Sequence, residues 1–156
     1  MVEKLLILVR HGDAESKGDD YSRKLTDKGI KQVELTASII KNSGIMPKVV
    51  YSSPLVRAVQ TAEIIVNNLG LKIEIKKVKE LEANRDPNEF LKIIQDEKES
   101  PILAVGHDPF MTNLVKNLTG ADVDFKKGGI AIIDLETKKL RVLLYPEFCE
   151  KSSQSS

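Results

Sequence analysis

Leu5-Leu6-Ile7-Leu8-Val9 runs without interruption into Arg10-His11-Gly12. A continuous apolar run of this length, with no polar alternation, describes a strand buried on both faces, as in a parallel sheet. The same pattern returns at Ile102-Leu103-Ala104-Val105, followed by Gly106-His107. These are the only two histidines of the chain, and each follows directly on the carboxyl end of a buried strand. In open α/β sheets the ligand crevice lies beyond those ends, so parallel pairing of the two strands brings both histidines to one edge.

The segments around these strands alternate in kind. Thr26 is placed to cap a helix whose apolar residues Ile30, Val33, Ala37 and Ile40 recur at helical spacing until Gly44. Val49-Val50-Tyr51 forms a second short strand, after which Ser53-Pro54 offers an N-cap and a first-turn proline for a second helix. Leu55, Ala58, Ala62, Ile65 and Leu69 make its buried stripe, and Gly70 ends it. Leu71, Ile73 and Ile75 then alternate with charged residues, as in a half-exposed strand towards a sheet edge. A charged segment around Glu80 to Asp86 leads to a helix from Pro87 to about Lys98, and Pro101 opens the second histidine-bearing strand. A helix from Pro109 to Leu118 is closed by Gly120, and the strands Ile130 to Leu135 and Leu140 to Tyr145 form a hairpin.

Strands interleaved with helices predict a three-layer α/β/α fold with a mostly parallel central sheet and a C-terminal hairpin. One domain is expected over residues 1–146, followed by a polar tail, 147–156, with the composition of a solvated end. At 156 residues, 41% hydrophobic and 30% charged, the chain can bury a core without disulfides or metals.

The 24 Lys and Arg nearly cancel the 23 Asp and Glu, which excludes the basic footprint of a nucleic-acid binder. Any anion selectivity must be local. Cys149 is alone, so neither an intramolecular disulfide nor a multi-cysteine metal site can form. Leu5 to Val9 is too short for a signal-peptide core, and no apolar run approaches the ~20 residues that cross a bilayer. The expectation is a soluble, cytoplasmic protein that meets neither membrane nor nucleic acid.

Arg57 falls in the first turn of the helix that leaves the Val49–Tyr51 strand, so it projects towards the edge that holds Arg10, His11 and His107. Two arginines, two histidines and two helix starts suit a doubly charged, oxygen-rich anion: guanidinium forks match phosphate oxygens bidentately, and helix starts present free N–H groups. A phosphoryl group is the natural ligand. No G-x-x-x-x-G-K-[ST] loop occurs, so this is not a P-loop site. A zinc site would need carboxylates beside the histidines, and the arginines would oppose the cation.

Arg10-His11-Gly12-Asp13-Ala14 after a buried strand resembles the signature of the histidine phosphatase (phosphoglycerate mutase-like) superfamily. Leu25-Thr26 with Gly29, Ser53-Pro54 with Arg57-Ala58 and Gln60-Thr61, and Gly106-His107-Asp108-Pro109 follow in that family's order. Within it, the chain is most similar to the bacterial phosphohistidine phosphatases of the SixA type, being short and without an inserted cap. The resemblance implies His11 as nucleophile, with Arg10, Arg57 and His107 holding the phosphoryl group, and no metal or organic cofactor.

The attack would come from an unprotonated ring nitrogen of His11, with His107 protonated once phosphate is bound. Two departures bear on the substrate. Lys17 stands where many relatives place a phosphate-contacting Asn, and Ala83 where they place a proton-donating Glu. Glu82 and Asp13 are the nearby carboxylates that could substitute as proton donor. The expected activity is hydrolysis of a phosphorylated protein, a phosphohistidine domain, or of a small phosphorylated metabolite. The alternatives are a phosphomonoesterase or a phosphoglycerate mutase-type isomerase using the same site, and a phosphate-binding regulatory module.

Overall fold

The computed structural model describes residues 4–147. Cys149 and residues 148–156 of the expected tail lie outside the described residues. The elements are β1 (Leu5–Arg10), α1 (Asp27–Ser43), β2 (Val49–Ser52), α2 (Val56–Asn68), β3 (Ile75–Lys77), α3 (Pro87–Asp96), β4 (Ile102–Gly106), α4 (Phe110–Thr119), β5 (Ile130–Asp134) and β6 (Lys139–Leu144). They build one sheet in the order β3-β2-β4-β1-β5-β6. The strands from β3 to β1 are parallel, β5 runs antiparallel to β1, and β6 closes the hairpin. This is the three-layer, mostly parallel arrangement with a C-terminal hairpin that the alternation of elements predicts.

Both faces of the sheet are covered, which is why the central strands read as unbroken apolar runs. Leu6 and Leu8 of β1 and Ile102 and Ala104 of β4 face α3 and α4, packing with Phe90, Phe110 and Leu114. Ile7, Val9, Leu103 and Val105 face the other way, towards Val33 and Ala37 of α1 and Ala58 and Ala62 of α2. Burying such a large apolar side chain is worth roughly 1.5–3 kcal/mol. The two packed faces therefore hold β1 and β4 in register, and the register sets Arg10 beside Gly106.

Four departures from the sequence expectation have a local reason. Ile30 is 37% exposed, and Gly29 is the residue buried in that turn, because the start of α1 lies directly on the segment that leaves β1. A Cβ at Gly29 would collide with the Asp13 carbonyl, and one at Gly12 would meet the Gly29 carbonyl and Val33, so both positions require glycine for close approach. The second helix begins at Val56 rather than at Pro54, because Leu55 keeps extended backbone at the helix start; the Ser53 hydroxyl accepts from the Leu55 N–H and also meets His107. The edge strand covers only Ile75–Lys77, because β2 offers it only Val50 to Ser52 as partners, and Leu71 and Ile73 pack beneath it instead. Finally, α3 stops at Asp96: the Glu97 carboxylate leaves the helix line, accepting from Tyr51 Oη at 2.6 Å and from the Glu99 N–H at 3.1 Å.

Candidate active site

Parallel pairing of β1 and β4 carries His11 and His107 one residue past a matched pair of strand ends. A backbone hydrogen bond from His11 N–H to Gly106 O at 3.1 Å ties these two ends together, and Ser53 N–H to Val105 O at 3.0 Å ties the end of β2 to β4. From the other side of β1, the Gly128 N–H donates to the carbonyls of Arg10 and His11. The two imidazoles meet with centroids 4.9 Å apart and planes inclined by 55°. They form the floor of a crevice of about 330 Å³ whose walls include Arg10, Arg57, Arg23 and Lys127.

His11 is buried, and its Nδ1 lies 2.7 Å from the Gly12 carbonyl oxygen. A carbonyl can only accept, so Nδ1 carries the proton and Nε2 keeps its lone pair. Burial, opposed by that hydrogen bond and reinforced by the charges of Arg57, Arg10 and Lys127, lowers the ring's pKa to about 4. The free site therefore holds His11 neutral at physiological pH.

His107 is 2% exposed, and its Nε2 shares a 2.8 Å hydrogen bond with Ser53 Oγ. Burial first, then the charges of His11, Arg57 and Arg10, lowers its pKa to about 3. Its Nδ1 has no hydrogen-bond partner, and neither has Arg10 Nε; these are the two buried side-chain polar atoms left unsatisfied among the described residues. Buried polar groups without a partner are expensive, and here both belong to residues lining the same crevice. An oxyanion held there would satisfy both.

The arginines are held from outside the crevice. Arg10 Nη1 donates to the Phe125 carbonyl at 2.7 Å. Arg57 donates to the Asp20 carbonyl at 2.7 Å and to its carboxylate at 3.1 Å. Thr61 ties the start of α2 to the histidine loop: its hydroxyl donates to Arg57 O and accepts from the Gly12 N–H. Gln60 accepts from the Leu25 N–H and so fixes the polar segment that frames the crevice.

The two candidate proton donors are placed differently from His11. Asp13 accepts from Thr26 Oγ1 at 2.7 Å and pairs with Lys127 at 3.0 Å, and these partners push its pKa down. That favours its carboxylate form, the opposite of what a general acid needs. Glu82 accepts from Tyr21 Oη at 2.8 Å and is not in the crevice wall, whereas Ala83 is. Lys17 is exposed and does not line the crevice.

Four lining side chains escaped sequence reasoning, Glu15, Ser16, Arg23 and Lys127, and a fifth, Asp108, entered only as part of a motif with no role given. Only Lys127 left a usable signal, the Lys126-Lys127-Gly128-Gly129 turn before a buried strand. Among the described residues no group of three or more His, Cys, Asp or Glu side chains could hold a metal ion. No helix among them is long and apolar enough to cross a membrane.

Comparison with known proteins bears on the family and the fold. Over 65 residues the chain is 42% identical to the mitochondrial serine/threonine-protein phosphatase Pgam5 of Drosophila grimshawi, covering 41% of this chain and 22% of that protein. Over 67 residues it is 37% identical to the 2,3-bisphosphoglycerate-dependent phosphoglycerate mutase of Corynebacterium diphtheriae, covering 40% and 27%. The chain thus spans about a quarter of the length of the curated relatives it matches. In three dimensions it superposes on the protein histidine phosphatase SixA complexed with tungstate with a TM-score of 0.84 and 25% identity, over 93% of this chain and 99% of that one. The family model of the histidine phosphatase superfamily, branch 1, matches residues 6–84, which contain the Arg10-His11-Gly12 turn and Arg57. On the family match, with the fold in agreement, the chain belongs to the histidine phosphatase superfamily.

Proposed function

We infer that the protein is a phosphatase acting on protein phosphohistidine through a transient phosphohistidine on His11. The observation that carries this reading is the committed tautomer of His11. Its Nδ1–H is spent on the Gly12 carbonyl, leaving a neutral Nε2 lone pair in a crevice lined by Arg10, Arg57 and His107.

In the first step Nε2 of His11 forms a bond to phosphorus while the bond from phosphorus to the substrate nitrogen breaks. The departing imidazole leaves neutral, carrying its own proton. Arg10 and Arg57 hold the equatorial oxygens and stabilise the charge of the loose transition state. Ser53, which accepts from the Leu55 N–H, can donate its own proton to His107 Nε2, leaving an Nδ1–H for a phosphoryl oxygen. His107 then acts as a neutral donor, without the protonation that its burial opposes. In the second step water attacks phosphorus, the bond to His11 breaks, and phosphate leaves.

The choice of phosphohistidine rests on the leaving group. An alkoxide is nearly as basic as hydroxide, whose conjugate acid, water, has a pKa of about 15.7 in bulk, so its expulsion gains much from a positioned acid. Imidazole has a pKa of about 6.5 and needs none. Ala83 occupies the crevice wall, Glu82 is bound by Tyr21, and Asp13 is held ionised. A second reading, a small-molecule phosphomonoesterase or mutase-type isomerase, draws on Glu15 and Asp108, two carboxylates that do line the crevice.

Rapid quench with labelled substrate tests the nucleophile: an acid-labile, alkali-stable phosphoenzyme is expected, absent in His11→Ala. Label retained in that variant overturns the assignment. Comparable kcat/KM for phosphoramidate and an alkyl phosphate, with a large loss confined to the alkyl phosphate in Glu15→Gln or Asp108→Asn, selects the second reading.

A further inference from the structure

Beside the crevice lies a larger hollow of about 1020 Å³, between the first two turns of α1 and the turn before β5. Its walls carry Lys28 and Lys31 from α1, Lys126 and Lys127 from the turn, and Arg10 from the end of β1, against a single carboxylate, Glu147. In a chain whose charges otherwise cancel, this is a concentrated positive field. Lys126 is paired with Glu147 at 3.4 Å and Lys127 with Asp13 at 3.0 Å. Lys28 and Lys31 take no ion-pair partner among the described residues. Arg10 and Lys127 line both the hollow and the crevice, so the two spaces adjoin.

The kind of charge identifies the kind of ligand. All four lysines are exposed. Small-molecule sites rely instead on a few convergent groups in a largely enclosed space, within roughly 300–1,000 Å³. Flexible, well-hydrated ammonium groups around an open hollow suit carboxylates spread over a facing surface, where they accelerate encounter and fix register. Tyr145 is the sole aromatic lining residue, which offers no platform for successive stacked bases.

We propose that this hollow docks acidic residues of a phosphoprotein, with Lys28 and Lys31 as its free contacts, while the phosphorylated side chain enters the crevice past Arg10 and Lys127. What enters the crevice rests on the function proposed above; the docking charge does not.

The test uses two synthetic phosphohistidine peptides, identical except that flanking Glu residues in one are Gln in the other, together with phosphoramidate. At low ionic strength, wild type should show a kcat/KM about tenfold higher for the acidic peptide, a gap that closes in high salt as the Debye length shrinks to about 3 Å. Lys28→Gln/Lys31→Gln should remove most of that gap and leave phosphoramidate hydrolysis unchanged. Equal rates for the two peptides in wild type overturn the proposal. So does a double variant that slows phosphoramidate as much as the acidic peptide.

A second measurement separates docking from chemistry. The labelled, unphosphorylated acidic peptide should bind wild type more tightly than the double variant by fluorescence anisotropy. If it does while no phosphohistidine peptide is hydrolysed, the substrate reading fails and docking stands. If both peptides are hydrolysed alike and the acidic one does not bind, docking fails and the substrate reading stands. Tighter Lys28- and Lys31-dependent binding of a short DNA duplex than of the acidic peptide also overturns the assignment to a protein partner.

Discussion

Lowering the pH from 7 to 5 should destabilise this protein through its two histidines. Both rings are buried and neutral, with pKa values lowered from 6.5 to about 4 for His11 and about 3 for His107. In the unfolded chain both titrate near 6.5, so between pH 7 and 5 the unfolded state binds more protons than the folded one, and stability falls with pH. At pH 5 an unfolded ring is almost fully protonated while a folded one is still neutral, a difference of about 2 kcal/mol per ring relative to pH 7. No other histidine contributes, since the chain has only these two. Carboxylates whose folded pKa is lowered, such as Asp13 and Glu97, act chiefly below this window. Urea denaturation at pH 7, 6 and 5 should therefore lose about 4 kcal/mol in total, a large share of the roughly 5–15 kcal/mol typical of a domain. His11→Asn should retain about half of that pH dependence. A wild-type loss under about 1 kcal/mol, or an undiminished slope in His11→Asn, would refute the argument that burial keeps these rings neutral. Proton NMR of the two imidazoles offers a direct check, with neither ring titrating between pH 6 and 7.

Three further outcomes follow from single contacts. Gly29→Ala forces a Cβ against the Asp13 carbonyl, so it should cost roughly 1–3 kcal/mol in thermal or urea unfolding and displace the histidine loop; an unchanged midpoint with full activity contradicts the close approach. Ser53→Ala strands the buried Nε2 of His107, at a cost of about 1–3 kcal/mol, and should lower kcat/KM for phosphoramidate; unchanged kinetics removes Ser53 from the positioning of His107. Ala83→Glu places a carboxylic acid in the crevice wall and should raise turnover of alkyl phosphates relative to phosphoramidate by about tenfold or more, measured as a ratio of kcat/KM; no change in the ratio indicates that leaving-group protonation does not limit either reaction.

Much of the fold and part of the site could be read along the chain because the relevant physics is local. An unbroken apolar run such as Leu5 to Val9 can be satisfied only by burial on both faces, and that requirement implies a covered, mostly parallel sheet with its crevice at the strand ends. His11 and His107 follow those runs directly, so their convergence needs only the parallel pairing of β1 with β4. Arg57 was legible for the same reason, one helical step after β2.

The rest of the site depends on which distant segments meet, and no period or spacing carries that information. Lys127 reaches the crevice because β5 runs antiparallel to β1, which sets the start of one strand beside the end of the other. Ser53 reads as a helix cap, and its hydroxyl does accept from the Leu55 N–H, but the register of β2 on β4 also sets that hydroxyl against His107, a contact no local spacing announces. Asp13 and Glu82 look alike as carboxylates near the histidine crevice, but long-range partners, Lys127 for one and Tyr21 for the other, decide that neither stands free in it. Sequence alone determined the layers, the edge and the residues carried on strand ends, because those follow from the burial each segment demands. Tertiary structure decided the protonation states, the hydrogen-bond partners and the basic hollow, because these depend on contacts between residues as far apart as Arg10, Lys28 and Lys126.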